Sequence, residues 1–178
     1  MDVTAIIDKF YSDNEAGKQI LVAHSKLVTD KALAIAKAHP ELNIDIAFVG
    51  EAAMLHDIGV FLCNAPSIGC FGIEPYIKHG ILGAELLRRE GFEQHARVCE
   101  RHTGTGLSKD SILAQELPLP AQDFLPETIE EKLICFADKF FSKSRPTEEK
   151  SLEHAQRSVA KFGKDSLERF NEWCALFL

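Results

Sequence analysis

A histidine and an aspartate stand side by side where an apolar helix is predicted to end. His56 and Asp57 follow the stretch from Ile46 to Leu55, in which Glu51 is the one charged residue. A buried carboxylate is costly without a neutralising partner, and neutral imidazole and carboxylate are both ligands of first-row metals. The pair therefore indicates a metal site. A solvated helix end is the alternative explanation for these two residues taken alone.

Two further ligand-type residues interrupt apolar helical faces elsewhere in the chain. His24 lies on the apolar stripe of its helix, and Asp138 lies in the apolar run CFADKFF. Each has a simpler alternative to a role as metal ligand. His24 could be a hydrogen-bonded core residue, and Asp138 could form an ion pair. Lys139 follows Asp138 directly but points elsewhere around the helix. The order of all four ligand-type residues is much more specific than any one of them.

This order resembles the pattern H…HD…D of the HD-domain superfamily of metal-dependent phosphohydrolases, and the segment LHDIG is similar to that of its HDIG-type members. The resemblance extends from His24 to about Lys143. It implies an all-helical fold in which His24, His56, Asp57 and Asp138 hold one metal ion. It also implies hydrolysis by metal-activated water.

His79 and His102 extend the resemblance to two-metal relatives. The segment HGILGAELLRREG looks like the corresponding one in HD-GYP phosphodiesterases and in HD-type diadenosine tetraphosphatases. A histidine at each place holds the second ion in two-metal families, which implies a second site from His79, His102 and a bridging Asp57. Each histidine also has an alternative explanation without metal. His79 would then be an ordinary residue at a helix start, and His102 a cation that the dipole at a helix C-terminus favours. TGTGLS follows His102 in place of GYP, which argues against cyclic di-GMP as substrate.

The resemblance implies a phosphohydrolase that cleaves a phosphoester or phosphoanhydride of a small nucleotide-like molecule. Its cofactor is then one or two divalent ions, with Fe, Mn, Mg, Co, Ni and Zn as the candidates. Asp57 is the expected bridging ligand and proton acceptor, and Lys139 and Arg101 are the expected phosphate contacts. Two alternatives stay open: a di-iron oxygenase of the same superfamily, and a non-catalytic metal-binding regulatory domain.

Helices separated by loops are predicted to position these residues. Helical periodicity and capping residues predict helices up to residue 11 and over 14–39, 45–57, 79–90, 93–102, 109–115, 128–141, 148–162 and 166–177. A Gly- and Pro-rich loop from Gly59 to Tyr76 is predicted to border the site and control access, as long loops often do. The prediction is one all-α HD domain over 1–178. Its metal-binding core spans about 20–143, and helices over 148–178 pack on it.

Composition restricts the classes of partner. The 178 residues are 46% hydrophobic and 26% charged, as in ordinary globular proteins, and 20 basic against 27 acidic residues give a net charge of −7. This charge disfavours a nucleic-acid polymer or an anionic membrane as partner but suits a small phosphorylated molecule. There is no membrane-spanning run and no signal-peptide pattern, and the five scattered cysteines suit a reducing compartment. We therefore expect a cytoplasmic protein with a nucleotide-like partner, and the sequence leaves a homodimer open.

Overall fold

The computed structural model describes residues 1–144 and 148–178, and this part of the chain is predominantly helical. Its α-helices are α1 (Val3–Phe10), α2 (Glu15–Ala38), α3 (Ile46–Leu55), α4 (His79–Arg89), α5 (Glu93–Arg101), α6 (Lys109–Ala114), α7 (Ile129–Asp138), α8 (Leu152–Val159) and α9 (Lys164–Phe177). Within the described ranges the only sheet is an antiparallel pair, β1 (Asn64–Ala65) with β2 (Cys70–Phe71). The predicted all-α fold is confirmed.

Side-chain caps set the starts of the helices that carry site residues. The Asn14 side chain accepts a hydrogen bond from the Gly17 amide at the start of α2. Thr128 and Glu131 form a complete capping box at the start of α7, each side chain accepting from the other residue's backbone amide. Such caps satisfy amide groups that have no partner within the helix. Both starts therefore follow from local sequence.

Helix boundaries differ from the sequence prediction most clearly at the end of α7 and the start of α8. α7 ends at Asp138 instead of continuing to Phe141. The apolar pattern hides this end, because Phe140 and Phe141 stay buried beyond it. The helix predicted from residue 148 begins at Leu152, where Ser151 provides the N-cap.

The helices enclose two main hydrophobic clusters, and α3 contributes to both. The larger cluster lies among α2, α3, α7, α8 and α9, and the other joins α1, α4, α5 and the end of α3. In the larger one the Phe136 ring lies 5.1 Å from that of Phe170 and 5.4 Å from that of Phe177, centre to centre. The C-terminal helices therefore pack on the core. Because both clusters surround the end of α3, His56 and Asp57 are fully enclosed.

The segment predicted as one irregular loop over 59–76 contains regular short elements. A 3₁₀ turn over Ile58–Leu62 leads into β1, and further 3₁₀ turns span Pro66–Ile68 and Tyr76–Lys78. Backbone hydrogen bonds join Gly72 to Cys63 and Glu74 to Leu62, so the segment is tied to itself at several points. The sequence missed the hairpin because its strands have two residues each, too short for a period-2 pattern.

α2 is a long helix, at 24 residues, but it carries lysines and acidic residues along its length. No helix in the described residues combines the length and the apolar character of a membrane span.

Candidate metal centre

Six buried side chains form two groups of ligand type that share one carboxylate. The first group is His24, His56, Asp57 and Asp138, and the second is Asp57, His79 and His102. Within each group, one candidate ligand atom per residue lies within 4.8 Å of the others. The structure therefore brings together all six residues predicted as metal ligands. They come from four helices and the turn after α3.

Five of the six residues lie at helix ends, which is what lets them converge. His79 begins α4, Asp138 ends α7, and His102 directly follows α5. His56 and Asp57 directly follow α3. At a helix end the side chain reaches past the packed flank of the helix, and nearby backbone groups lack partners within the helix.

Those backbone groups orient three of the histidines. In each, Nδ1 lies within hydrogen-bonding distance of the carbonyl oxygen three residues earlier. The pairs are His56 with Ala53 at 2.6 Å, His79 with Tyr76 at 2.7 Å, and His102 with Cys99 at 2.7 Å. A carbonyl only accepts, so Nδ1 carries the proton, and Nε2 of the neutral ring keeps a lone pair. Histidine ligands of metals are commonly oriented in this way.

The two histidines of the second group face each other through nitrogen. Nε2 of His79 and Nε2 of His102 lie 3.0 Å apart, although each bears a lone pair when Nδ1 donates to its carbonyl. Burial lowers the pKa of both rings, that of His79 to about 3 with the His102 ring adding to the effect. An extra proton between the nitrogens is therefore disfavoured. A metal cation fits this arrangement, because it accepts both lone pairs.

Asp57 presents one oxygen to each group. Its Oδ2 lies 3.3 Å from His24 Nε2 and 3.0 Å from His56 Nε2. Its Oδ1 lies 3.4 Å from His79 Nε2 and 3.2 Å from His102 Nε2. Neither oxygen has a partner with hydrogen-bond geometry among the described residues. A buried carboxylate without hydrogen-bond partners needs positive charge nearby to compensate its own. The arrangement of histidines suits one metal ion on each carboxylate oxygen.

The charges around Asp57 agree with that requirement. Burial opposes ionisation of Asp57, but Lys143 and His56 hold the pKa of its carboxyl well below the usual range. Burial likewise opposes protonation of His56, yet Asp57 and Asp138 raise the pKa of its imidazole to about 9. In the metal-free protein a proton on His56 thus supplies positive charge between two carboxylates. A metal ion held here would replace that proton.

A cavity of about 590 Å³ opens beside both groups. Its wall includes four of the six candidate ligands, namely His24, His79, His102 and Asp138, together with Lys139, Lys143 and Lys150. The segment predicted to border the site does so, because residues 64–68 and 76 also line the cavity. The three ammonium groups make this a place for an anion next to the candidate metal positions.

The two predicted phosphate contacts differ in where they lie. Lys139 lines the cavity, where its Nζ lies 2.8 Å from Asp138 Oδ2 and donates to the His102 carbonyl. Arg101 does not line it: its guanidinium donates to the Leu125 carbonyl and lies 2.8 Å from Glu127. The structure therefore places Arg101 in a separate ion-pair network. His102, the next residue in sequence, faces the site. Successive helical residues point in different directions, so Arg101 does not.

Sequence reasoning gave no individual role to Tyr76, Lys143 or Lys150, which all line the cavity. The Tyr76 ring stacks on His79 with centres 4.7 Å apart, and Lys143 Nζ lies 2.6 Å from Asp57 Oδ2. Lys150 donates to the backbone carbonyls of Lys139 and Phe141. Lys143 lies five residues after Asp138 in sequence. This closeness to a candidate ligand could have identified it as a site residue.

Comparison with known proteins gives one family and three relatives. The family model described as HD domain matches residues 21–142. A tRNA (cytidine(56)-2'-O)-methyltransferase of Thermoplasma volcanium is 34% identical over 154 residues, which cover 81% of this chain and 41% of that protein. The enzyme of the same name from Picrophilus torridus is 35% identical over 133 residues, covering 74% and 34%. An uncharacterised protein of Methanocaldococcus jannaschii is 34% identical over 131 residues, covering 72% and 70%. No solved structure gives a significant match.

These comparisons overturn two predictions. The predicted phosphohydrolase class is wrong on this comparison, because the two named relatives are called methyltransferases. The ligand pattern specifies a metal centre but not the bond that is changed near it. The prediction of no nucleic-acid polymer as partner is also wrong, because the same names specify tRNA. Net charge averages over the whole surface, whereas three lysines line one cavity. The chain spans less than half the length of both methyltransferases.

Proposed function

The chain belongs to the HD domain family, and we propose that it is a metal-binding module of tRNA 2′-O-methylation that binds tRNA at its metal centre. The observation that carries the proposal is the second ligand group. Two histidine Nε2 atoms face each other at 3.0 Å beside a buried carboxylate oxygen, with backbone carbonyls holding the opposite ring nitrogens. Such a cluster suits a divalent cation.

The proposed centre holds two divalent ions. One is held by His24, His56, Asp57 and Asp138, and the other by Asp57, His79 and His102. Asp57 serves both because a carboxylate has two oxygens, and here each faces a different pair of histidines. Bound ions supply positive charge and Lewis acidity toward a phosphate oxygen.

The chain's own lysines complete a place for a phosphate. Lys139 stays near Asp138 and the His102 carbonyl, so its ammonium is held at the cavity wall. Lys150 is held at the same wall by two backbone carbonyls. An RNA phosphate in the cavity would contact these ammonium groups, and metal ions held by the two ligand groups would lie beside it. Phosphate contacts provide most of the affinity of many nucleic-acid complexes.

The named relatives supply the class of nucleic acid. Both are named for methyl transfer to tRNA, which makes tRNA the proposed partner of this module. The matched part is 41% of one and 34% of the other. We therefore assign metal-dependent tRNA binding to this chain, and methyl transfer to the remainder of such proteins.

The test combines metal content with tRNA binding. Protein purified without chelator is expected to contain divalent metal by mass spectrometry and to retain a tRNA transcript in a filter-binding assay. Chelation should weaken tRNA binding by about tenfold or more, within the usual range of coupling between sites, and added Mn²⁺ should restore it. Metal-free protein that binds tRNA equally well would refute the proposal.

Two variants control for effects of the chelator on tRNA itself. Asp57→Asn, measured without chelator, should lose metal and bind tRNA as weakly as the chelated wild type. Asp30→Asn removes an exposed carboxylate whose ion-pair partner among the described residues is the surface Lys26, and it should behave as wild type. Incubation with tRNA and labelled S-adenosylmethionine tests the assignment of methyl transfer. Label transferred by this chain alone would overturn that assignment.

A further inference from the structure

We infer that Lys143 takes the place of metal charge at Asp57 in the metal-free protein, leaves Asp57 when an ion binds, and then contacts the anion in the cavity. The inference rests on the metal binding in the proposed function. It does not depend on tRNA being the ligand that supplies the anion.

The position of Lys143 conflicts with that of a metal ion. Its Nζ lies 2.6 Å from Asp57 Oδ2, the oxygen that faces His24 and His56 in the first ligand group. Asp57 is fully buried, and the Lys143 side chain is 14% exposed. An ammonium and a divalent cation on one buried oxygen repel each other strongly, because little water screens them.

Lys139 shows the contrasting arrangement. Its Nζ lies 2.8 Å from Oδ2 of Asp138, while Oδ1 of the same carboxylate faces His24 at 3.0 Å. Lys139 therefore leaves one oxygen of Asp138 free for a metal ion. Asp57 has no such spare oxygen, since Oδ1 and Oδ2 each face a pair of histidines. Of the two lysines, Lys143 is the one that a metal ion must displace.

The contact is also suited to displacement. The distance between Lys143 and Asp57 is short, yet Asp57 has no partner with hydrogen-bond angles among the described residues. The pair is held mainly by the attraction between opposite charges. A metal ion supplies that charge in its place.

The cavity offers the displaced ammonium a new position. Lys143 lines the cavity with Lys139 and Lys150, and its Nζ lies 5.7 Å from the centre of the Tyr76 ring, within cation–π range. A lysine ammonium on its flexible four-carbon stem can turn without backbone change. Released from Asp57, it becomes a third ammonium available to an anion. Metal and anion should then each strengthen the binding of the other, as linkage requires.

The first experiment measures metal affinity with Lys143→Met. Mn²⁺ is titrated calorimetrically into chelator-treated, dialysed protein. Lys143→Met should bind Mn²⁺ about tenfold more tightly than wild type, because the competing charge is gone. Lys9→Met is the matched control, since Lys9 forms an ion pair of the same 2.6 Å length with Glu90 on the surface, and it should change nothing. Equal or weaker Mn²⁺ binding by Lys143→Met would overturn the inference.

The second experiment measures anion binding with inorganic phosphate as probe. Wild-type protein should bind phosphate more tightly with Mn²⁺ than without, and Lys143→Met should lose most of this gain. Lys9→Met should keep the full gain. A gain of wild-type size in Lys143→Met would show that Lys143 does not contact the anion.

A third measurement uses the wild type and so does not depend on the folding of a variant. Lysines are methylated with formaldehyde and a borane reductant, and the rate at each site is followed by mass spectrometry. Lys143 should react slowly without metal and faster with Mn²⁺, and an unchanged or slower rate would count against its displacement. Wild type that takes up no Mn²⁺ defeats the proposed function as well. Uptake with no tightening in Lys143→Met defeats this inference alone.

Discussion

Gly59→Ala tests whether close backbone packing holds the two ligand groups together. A Cβ at residue 59 would lie 2.3 Å from the Gly83 nitrogen and 2.4 Å from the His79 carbonyl oxygen. Carbon contacts normally begin near ~3.5 Å. Both obstacles are backbone atoms of α4, so the 3₁₀ turn over Ile58–Leu62 and α4 must separate by roughly 1 Å to accept the methyl group.

The separation has a stability cost and a site-specific effect. Overpacking of this kind costs about 1–3 kcal/mol, or about 2–12 °C in melting temperature for a chain of this size. Asp57 precedes the turn and His79 begins α4, and their facing atoms lie 3.4 Å apart. We therefore expect Gly59→Ala to weaken the second ion's site more than the first, since His24 and Asp138 lie on other helices.

Thermal unfolding by circular dichroism and metal content per chain measure the two effects. Gly50→Ala is the matched control, because a Cβ there meets no atom within 4 Å and the residue lies inside α3. Replacing that helical glycine should stabilise the protein by about 0.5–1 kcal/mol and leave metal content unchanged. If Gly59→Ala matched the wild type in both measurements, the packing argument would be wrong.

Two further substitutions separate the metal site from the scaffold. His102→Ala should remove one of the two proposed ions and leave the one held by His24 and its group, as metal analysis per chain would reveal; full metal content would mean that His102 is structural. Thr128→Ala breaks the capping box with Glu131 and should cost about 1 kcal/mol, or about 2–4 °C, with unchanged metal content. A melting temperature equal to that of wild type would show that this cap does not limit stability.

Local properties of the sequence were enough to predict the helices, and the resemblance to the HD-domain superfamily supplied the candidate ligand set. Helical periodicity and caps such as Asn14 and Thr128 depend on residues a few positions apart, and the observed starts of α2 and α7 follow them. The ends were harder, because Phe140 and Phe141 extend the apolar pattern beyond the last helical turn. The six ligand-type residues were recognisable because their order resembles that of the HD-domain superfamily and because metal chemistry admits few residue types.

The partner and the class of reaction were not predictable in the same way. A net charge of −7 argued against a nucleic-acid partner, although charge acts locally and three lysines meet at one cavity. The ligand pattern suggested hydrolysis, while the named relatives are methyltransferases. Metal ligands determine where a bound cation lies. The reaction depends on which substrate is brought to that cation.

The sequence by itself determined which residues have the chemistry to bind metal and which segments are helical, because both depend on residue type and near neighbours. Tertiary structure alone decided which of them meet. It set the nitrogens of His79 and His102 at 3.0 Å, placed Lys143 on Asp57, and turned Arg101 away toward Glu127. These contacts join residues 23, 86 and 26 positions apart in a 178-residue chain, and only the packing of whole helices fixes distances between such residues.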